Sequence, residues 1–192
     1  MSLLEQALAA SECVISVMGA HVGEDAEAVF RRKVADCDEA GCTFWVAKSS
    51  RARPEHVQAL CASGPGYVFF VEPATPGGAR PTTESEVASE YSPDRVTWTA
   101  LPQGLGPVTG HMDQVAAALV FDQLTTGVQG IIDLWAYVDR VDASRPLKFK
   151  LGLSTLCAVR GYTASHLDRM KSRYRRVVAV GHLAAPYCVS LR

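Results

Sequence analysis

Apolar runs alternate with helical repeats through the first third of the chain. The opening MSLLEQALAASE breaks its apolar positions with Glu5, Gln6 and Glu12, the pattern of a short amphipathic helix. Residues 13–20 (CVISVMGA) are β-branched and apolar up to His21, where the chain turns polar, so they predict a buried strand. Over 24–40, Ala26, Val29, Phe30, Val34 and Cys37 recur at helical spacing, with Glu24 and Asp25 in the first turn and Gly41 just past the end. Glu27 with Arg31 and Arg32 with Asp36 are spaced for i,i+4 ion pairs on the outer face of that helix. A second strand follows over 43–47 (TFWVA), a short helix from Pro54 through Cys61, and a third strand over 67–71 (YVFFV). This β-α-β-α-β order predicts a small, largely parallel sheet covered by helices.

The pattern breaks after Glu72. Residues 73–113 contain six prolines and five glycines and predict a long loop, with a weak strand signal at 95–100. Beyond it, 116–124 and 131–138 read as strands that pair across a turn at 125–130. In the second of these, Ile132, Leu134, Ala136 and Val138 share one face while Asp133, Trp135, Tyr137 and Asp139 share the other. A strand over 147–159, a helix over 165–175, and strands near 177–180 and 187–191 complete the chain. The expected architecture is α/β or α+β in one domain, 1–192. Residues 1–72 form its α/β part, 73–113 its Pro/Gly-rich loop, and 114–192 a β-rich basic part, a largely antiparallel sheet or partial barrel with one basic helix.

Composition excludes several classes. With 192 residues, 48% hydrophobic and 20% charged, the chain is neither disordered nor fibrous. The opening lacks the charged-then-apolar order of a secretory signal, and no apolar run approaches the ~18 residues of a membrane span, so a cytoplasmic protein without a membrane partner is expected. The six cysteines are scattered without a CxxC, which predicts buried thiols, no metal and no cofactor.

Charge adds what the total of −1 conceals. Residues 140–192 hold eleven Lys and Arg against two Asp, a net of +9, while the preceding 139 carry −10. On a strand through 147–160, Lys148, Lys150 and Arg160 project from one face. On a helix over 165–175 and its continuation, Arg169, Arg173 and Arg176 recur at i, i+4, i+7, with Leu167, Met170 and Tyr174 as the buried stripe. Such rows match phosphates, each of which releases a counterion when neutralised. Trp98, in the polar loop, and Trp135, beside Asp133, are placed to stack on a base if exposed. The competing explanation is that the acidic part of the chain neutralises the basic part, internally or between subunits.

A second constellation arises because ligands gather outside the carboxyl ends of parallel strands. His21, Glu24 and Asp25 follow the first strand, Lys48, Ser49, Ser50 and Arg51 the second, and Glu72 the third. His21 would serve as acid or base, with Lys48 or Arg51 holding an anion; no GxGxxG or P-loop accompanies them. Phe44-Trp45-Val46-Ala47-Lys48-Ser49 resembles the opening of EVE domains, PUA-like modules associated with modified nucleic-acid bases. That resemblance covers six residues and implies a nucleic-acid partner. The leading expectation is therefore a nucleic-acid-binding protein or subunit of a nucleoprotein assembly. The alternatives are a small enzyme acting on a nucleotide or phosphorylated metabolite, and a non-catalytic oligomeric scaffold subunit with a protein partner or a second copy of itself.

Overall fold

The computed structural model describes residues 1–18, 26–47, 52–72, 117–143, 147, 155–161 and 174–190, with four two-residue strands inside 87–109. In chain order the elements are α1 (Leu3–Ala9), β1 (Glu12–Val17), α2 (Ala26–Ala40), β2 (Thr43–Ala47), α3 (Pro54–Cys61) and β3 (Tyr67–Val71). The short strands β4 (Val87–Ala88), β5 (Glu90–Tyr91), β6 (Thr99–Ala100) and β7 (Val108–Thr109) come next. They are followed by β8 (Ala117–Asp133), β9 (Tyr137–Asp139), β10 (Thr155–Arg160) and β11 (Tyr174–Ser190). Seven strands form one open sheet in the order β2-β8-β11-β3-β1-β10-β9. The molecule is thus mixed α/β, and among the described residues its mostly antiparallel sheet does not close into a barrel.

Both faces of the sheet are covered at its centre. β1 and β3 lie side by side in parallel, and every residue of β3 and all but the first of β1 are buried. That double burial is why the two segments read as unbroken apolar runs. On one face α1 packs Leu3, Leu4, Ala7 and Leu8 against Ile15, Tyr67, Phe69 and Val177. Ser2 fixes the start of α1 through a capping box with Glu5. On the other face α2 and α3 bring Phe30, Val57 and Leu60 onto Val14, Val68, Phe70 and Phe121. There Phe30 meets Phe70 at 4.6 Å and stacks on Trp45 at 5.3 Å, so Trp45 belongs to the packing under α2. Between β1 and β10 the buried hydroxyls of Ser16 and Thr155 satisfy each other at 2.7 Å.

Several expectations are corrected. Among the described residues β1 and β3 form the sheet's parallel pair, whereas β2 pairs antiparallel with β8 at the far edge, so the first three strands do not make a parallel sheet. The segments at 116–124 and 131–138 are not a hairpin. β8 runs through both, because Thr125, Thr126 and Gly130 all pair with β11 and only 127–129 bulge out, between Thr126 opposite Ala179 and Gly130 opposite Val177, with Gly127 at φ +68°. β11 likewise spans both segments where two separate strands were expected. Its residues 184–187, which include Pro186, loop out between Leu183, opposite Phe121, and Cys188, opposite Leu119. The alternation expected over 131–138 is interrupted by a 3-10 turn at Leu134–Ala136, whose start is held by the Trp135 N–H donating to Asp133 Oδ1 at 3.1 Å. The helix expected through 175 does not reach Tyr174 and Arg175, which open β11; residues 162–173 lie outside the described residues.

Candidate ligand site at the carboxyl end of the parallel pair

β1 and β3 end together, with the Met18 N–H donating to Val71 O at 2.8 Å. At this end Glu72, just past β3, meets Arg176 of β11. The Glu72 N–H donates to Arg176 O at 3.1 Å, and Arg176 Nε donates to Glu72 Oε2 at 3.4 Å. Arg176 Nη1 donates to Glu27 Oε1 of α2 at 3.1 Å, and Glu27 also lies 3.8 Å from Arg31. Two carboxylates and two guanidiniums therefore balance. The hydrogen bond to Glu27 above all, with Glu72 adding to it, holds the Arg176 guanidinium further into its charged form, and burial opposes them. All these side chains are substantially exposed, so the cluster orients groups more than it stabilises the fold.

The register places Arg176 opposite Ile131 and Tyr174 opposite Asp133, so Ile131, Tyr174 and Arg176 project from one face, the side on which α2 packs. Ile132 and Arg175, both buried, point to the other. Ile131 is 67% exposed and Tyr174 53%. With Glu72, Val128, Gln129, Gly130 and Arg175, the exposed Ile131, Tyr174 and Arg176 line an open groove of about 610 Å³.

The sequence-derived candidates divide. Arg176 stands on a strand, clasped by Glu27 and Glu72, and not on the helix expected to align it with Arg169 and Arg173. Arg160 ends β10; its Nη2 donates to Tyr137 Oη at 2.9 Å and to Leu8 O, which ties it to the end of α1. Its guanidinium also lies 5.3 Å from the Tyr137 ring. Arg160 and Arg176 are therefore engaged on opposite faces of the sheet. Trp135 is 7% exposed, so the condition for its stacking on a base, an open face, is not met. Tyr174, expected in a buried stripe, is instead exposed. Lys148, Lys150, Arg169, Arg173 and Trp98 lie outside the described residues, as do His21, Glu24, Lys48 and Arg51. The small-molecule site assumed that the first and second strands run the same way. β2 runs opposite to β1 and β3, so its carboxyl end is at the other end of the sheet. What the structure does unite is Glu72, from the strand-end set, with Arg176, from the phosphate set.

A second polar pair was not legible in the sequence. His182 Nδ1 of β11 lies 2.6 Å from Asp122 Oδ1 of β8, with the Tyr67 ring 5.5 Å away and Tyr67 Oη donating to Gln6 Oε1 at 3.2 Å. A carboxylate so placed fixes the imidazole for proton transfer. The pairing is sixty residues apart in sequence, and only the β8–β11 register reveals it. Among the described residues no group of three or more His, Cys, Asp or Glu could hold a metal ion. Burial pushes the Cys157 and Cys188 thiols up to about 12 and Cys61 to about 11, leaving them neutral. No described helix is long and apolar enough to cross a membrane. Lys33 Nζ donates to Phe44 O on edge strand β2 at 2.6 Å, and the Leu147 N–H donates to Tyr137 O on edge strand β9 at 3.1 Å, so both edges carry a local cap against strand addition.

Compared with protein-family models, with curated proteins and with solved structures, the chain matches none.

Proposed function

We propose that the protein binds nucleic acid, or another polyanion, through the basic part of its chain, alone or as a subunit of a nucleoprotein assembly. The observation that carries this reading is the segregation of charge: +9 over residues 140–192 against −10 over the preceding 139. Because Arg160 and Arg176 already engage groups of the same chain, phosphate neutralisation falls in this reading to Lys148, Lys150, Arg169 and Arg173. Arg169 and Arg173 are four residues apart in the sequence, and Trp98 is the aromatic retained for base contact. The six free cysteines fit a reducing compartment such as the cytoplasm.

The test is fluorescence anisotropy with labelled single-stranded and duplex oligonucleotides of mixed sequence, titrated over a range of salt. Binding at low salt that weakens steadily as salt rises is expected. Absence of binding at low salt, or affinity indifferent to salt, would overturn the reading.

A further inference from the structure

We propose that Cys37 and Cys42 form a redox-responsive pair, closing to a disulfide across the α2–β2 turn when a small-molecule disulfide such as oxidised glutathione takes up their hydrogens. The inference stands apart from the binding reading above and concerns a different part of the fold. Its ground is the way β2 runs back along α2. Phe30 stacks on Trp45, Lys33 Nζ donates to Phe44 O, and Cys37 Sγ donates to Phe121 O at 3.9 Å, Phe121 being the ladder partner of Thr43. Each step along the helix meets a position one step earlier in the strand, so Cys37 comes level with the start of β2 and with the residue before it, Cys42.

The turn is built for that meeting. Gly41 lies in the left-handed region at φ +78°, and its N–H donates to Cys37 O at 2.8 Å, which closes the last turn of α2 and folds the chain back. In such a cap the second residue beyond the helix packs over the last turn, and here those two positions are held by Cys42 and Cys37. A contact that is ordinarily apolar thus has a sulfur on each side. β2 is an edge strand joined to the sheet by its ladder with β8, so a bridge here would tie that edge to α2.

The two thiols differ in access. Cys37 is 5% exposed, and burial pushes its thiol up to about 11, with Asp38, Asp122 and Cys42 adding to the shift, whereas Cys42 is half-buried. Cys42 therefore reacts first. Its thiolate attacks one sulfur of oxidised glutathione, the S–S bond breaks, and one glutathione leaves as a thiolate that takes up a proton, replacing the one Cys42 gave to solvent. Cys37 then loses its proton and attacks the Cys42 sulfur, expelling the second glutathione. In all, the chain gives up two protons and two electrons and the oxidant becomes two thiols. Such a pair stays reduced in a reducing compartment and closes under oxidation.

The test is to incubate the folded protein with oxidised glutathione at pH 8, quench with acid, alkylate in guanidinium and map the cysteines by mass spectrometry. A bridge between Cys37 and Cys42 is expected, in a peptide about 2 Da lighter than its reduced form and opened by dithiothreitol. Cys37→Ser should stop with glutathione held on Cys42, and Cys42→Ser should leave Cys37 reduced. Full alkylation of both cysteines in the wild type, glutathione retained on Cys42 beside a reduced Cys37, or a bridge from either to another cysteine would overturn the proposal.

Discussion

Lys33 offers a sharp test of the packing between α2 and the edge of the sheet. Its Nζ lies 4.5 Å from the Phe44 ring centre and 5.9 Å from that of Trp45, and burial lowers its ammonium from the usual 10.5 to about 8; Asp36 opposes the shift and Arg32 adds to it. Between those two values the unfolded chain holds a proton that the folded chain has lost. Stability therefore rises with pH across that window, at about 1.4 kcal/mol per pH unit. The ceiling is about 3 kcal/mol, or roughly 6–12 °C in Tm for a chain of this size, and the hydrogen bond to Phe44 O together with the ring contacts reduces it. The buried thiols work the other way. Folded cysteines hold protons that unfolded ones release above about 9, so the wild-type curve alone mixes the two effects. Lys33→Met keeps the apolar stem and deletes the charge, so the comparison isolates it. Differential scanning fluorimetry of both proteins from pH 7 to 10.5 should show the wild type gaining on Lys33→Met by several degrees as pH rises. Parallel curves would refute the argument that this amine is desolvated.

Three further outcomes follow from the core and the site. Gly181→Ala should cost about 1–3 kcal/mol in urea unfolding, because the new Cβ would sit 2.6 Å from Phe121 Cδ1, an atom of a buried ring that cannot swing clear; an unchanged midpoint would contradict that packing. Phe70→Ala, which removes the ring shared by Phe30, Trp45 and Phe121, should cost about 3–5 kcal/mol in the same assay. Cys13, Cys157 and Cys188, buried and held neutral, should resist a thiol reagent at pH 8 in the native protein and react once guanidinium is added; rapid native labelling would contradict their placement.

What the sequence shows well is local. The apolar stripe of Val29, Phe30 and Cys37 and the unbroken run of β3 are written in adjacent residues, and the structure has a helix and a strand there. What it shows poorly is pairing. Gly127 and Gly130 mark a turn in most contexts, but here one sits in a bulge and the other makes room for Leu4 of α1, which a Cβ would approach to 3.1 Å. Pro186 breaks most strands, yet the ladder resumes at Cys188. The direction of β2 was equally hidden, since a helical crossover permits either sense unless the partner strand is known; β8, its partner, lies some seventy residues further on. The candidate site inherits these limits. Arg176 and Glu72 were each visible as chemistry, but their meeting depends on the β11–β3 register, and Tyr174 changed from core to surface when a helix position became a strand position.

The central claim, that the basic part of the chain neutralises phosphates, is tested most directly by the salt slope of single-strand binding. The comparison is between the wild type and a variant with Lys148, Lys150, Arg169 and Arg173 all changed to Gln. The account predicts a linear fall of log affinity with log salt, with a slope shallower by about 3 in the variant, each lost phosphate contact removing about 0.7–0.9. Identical slopes in the two proteins, or a wild type that binds no strand at low salt, would contradict it.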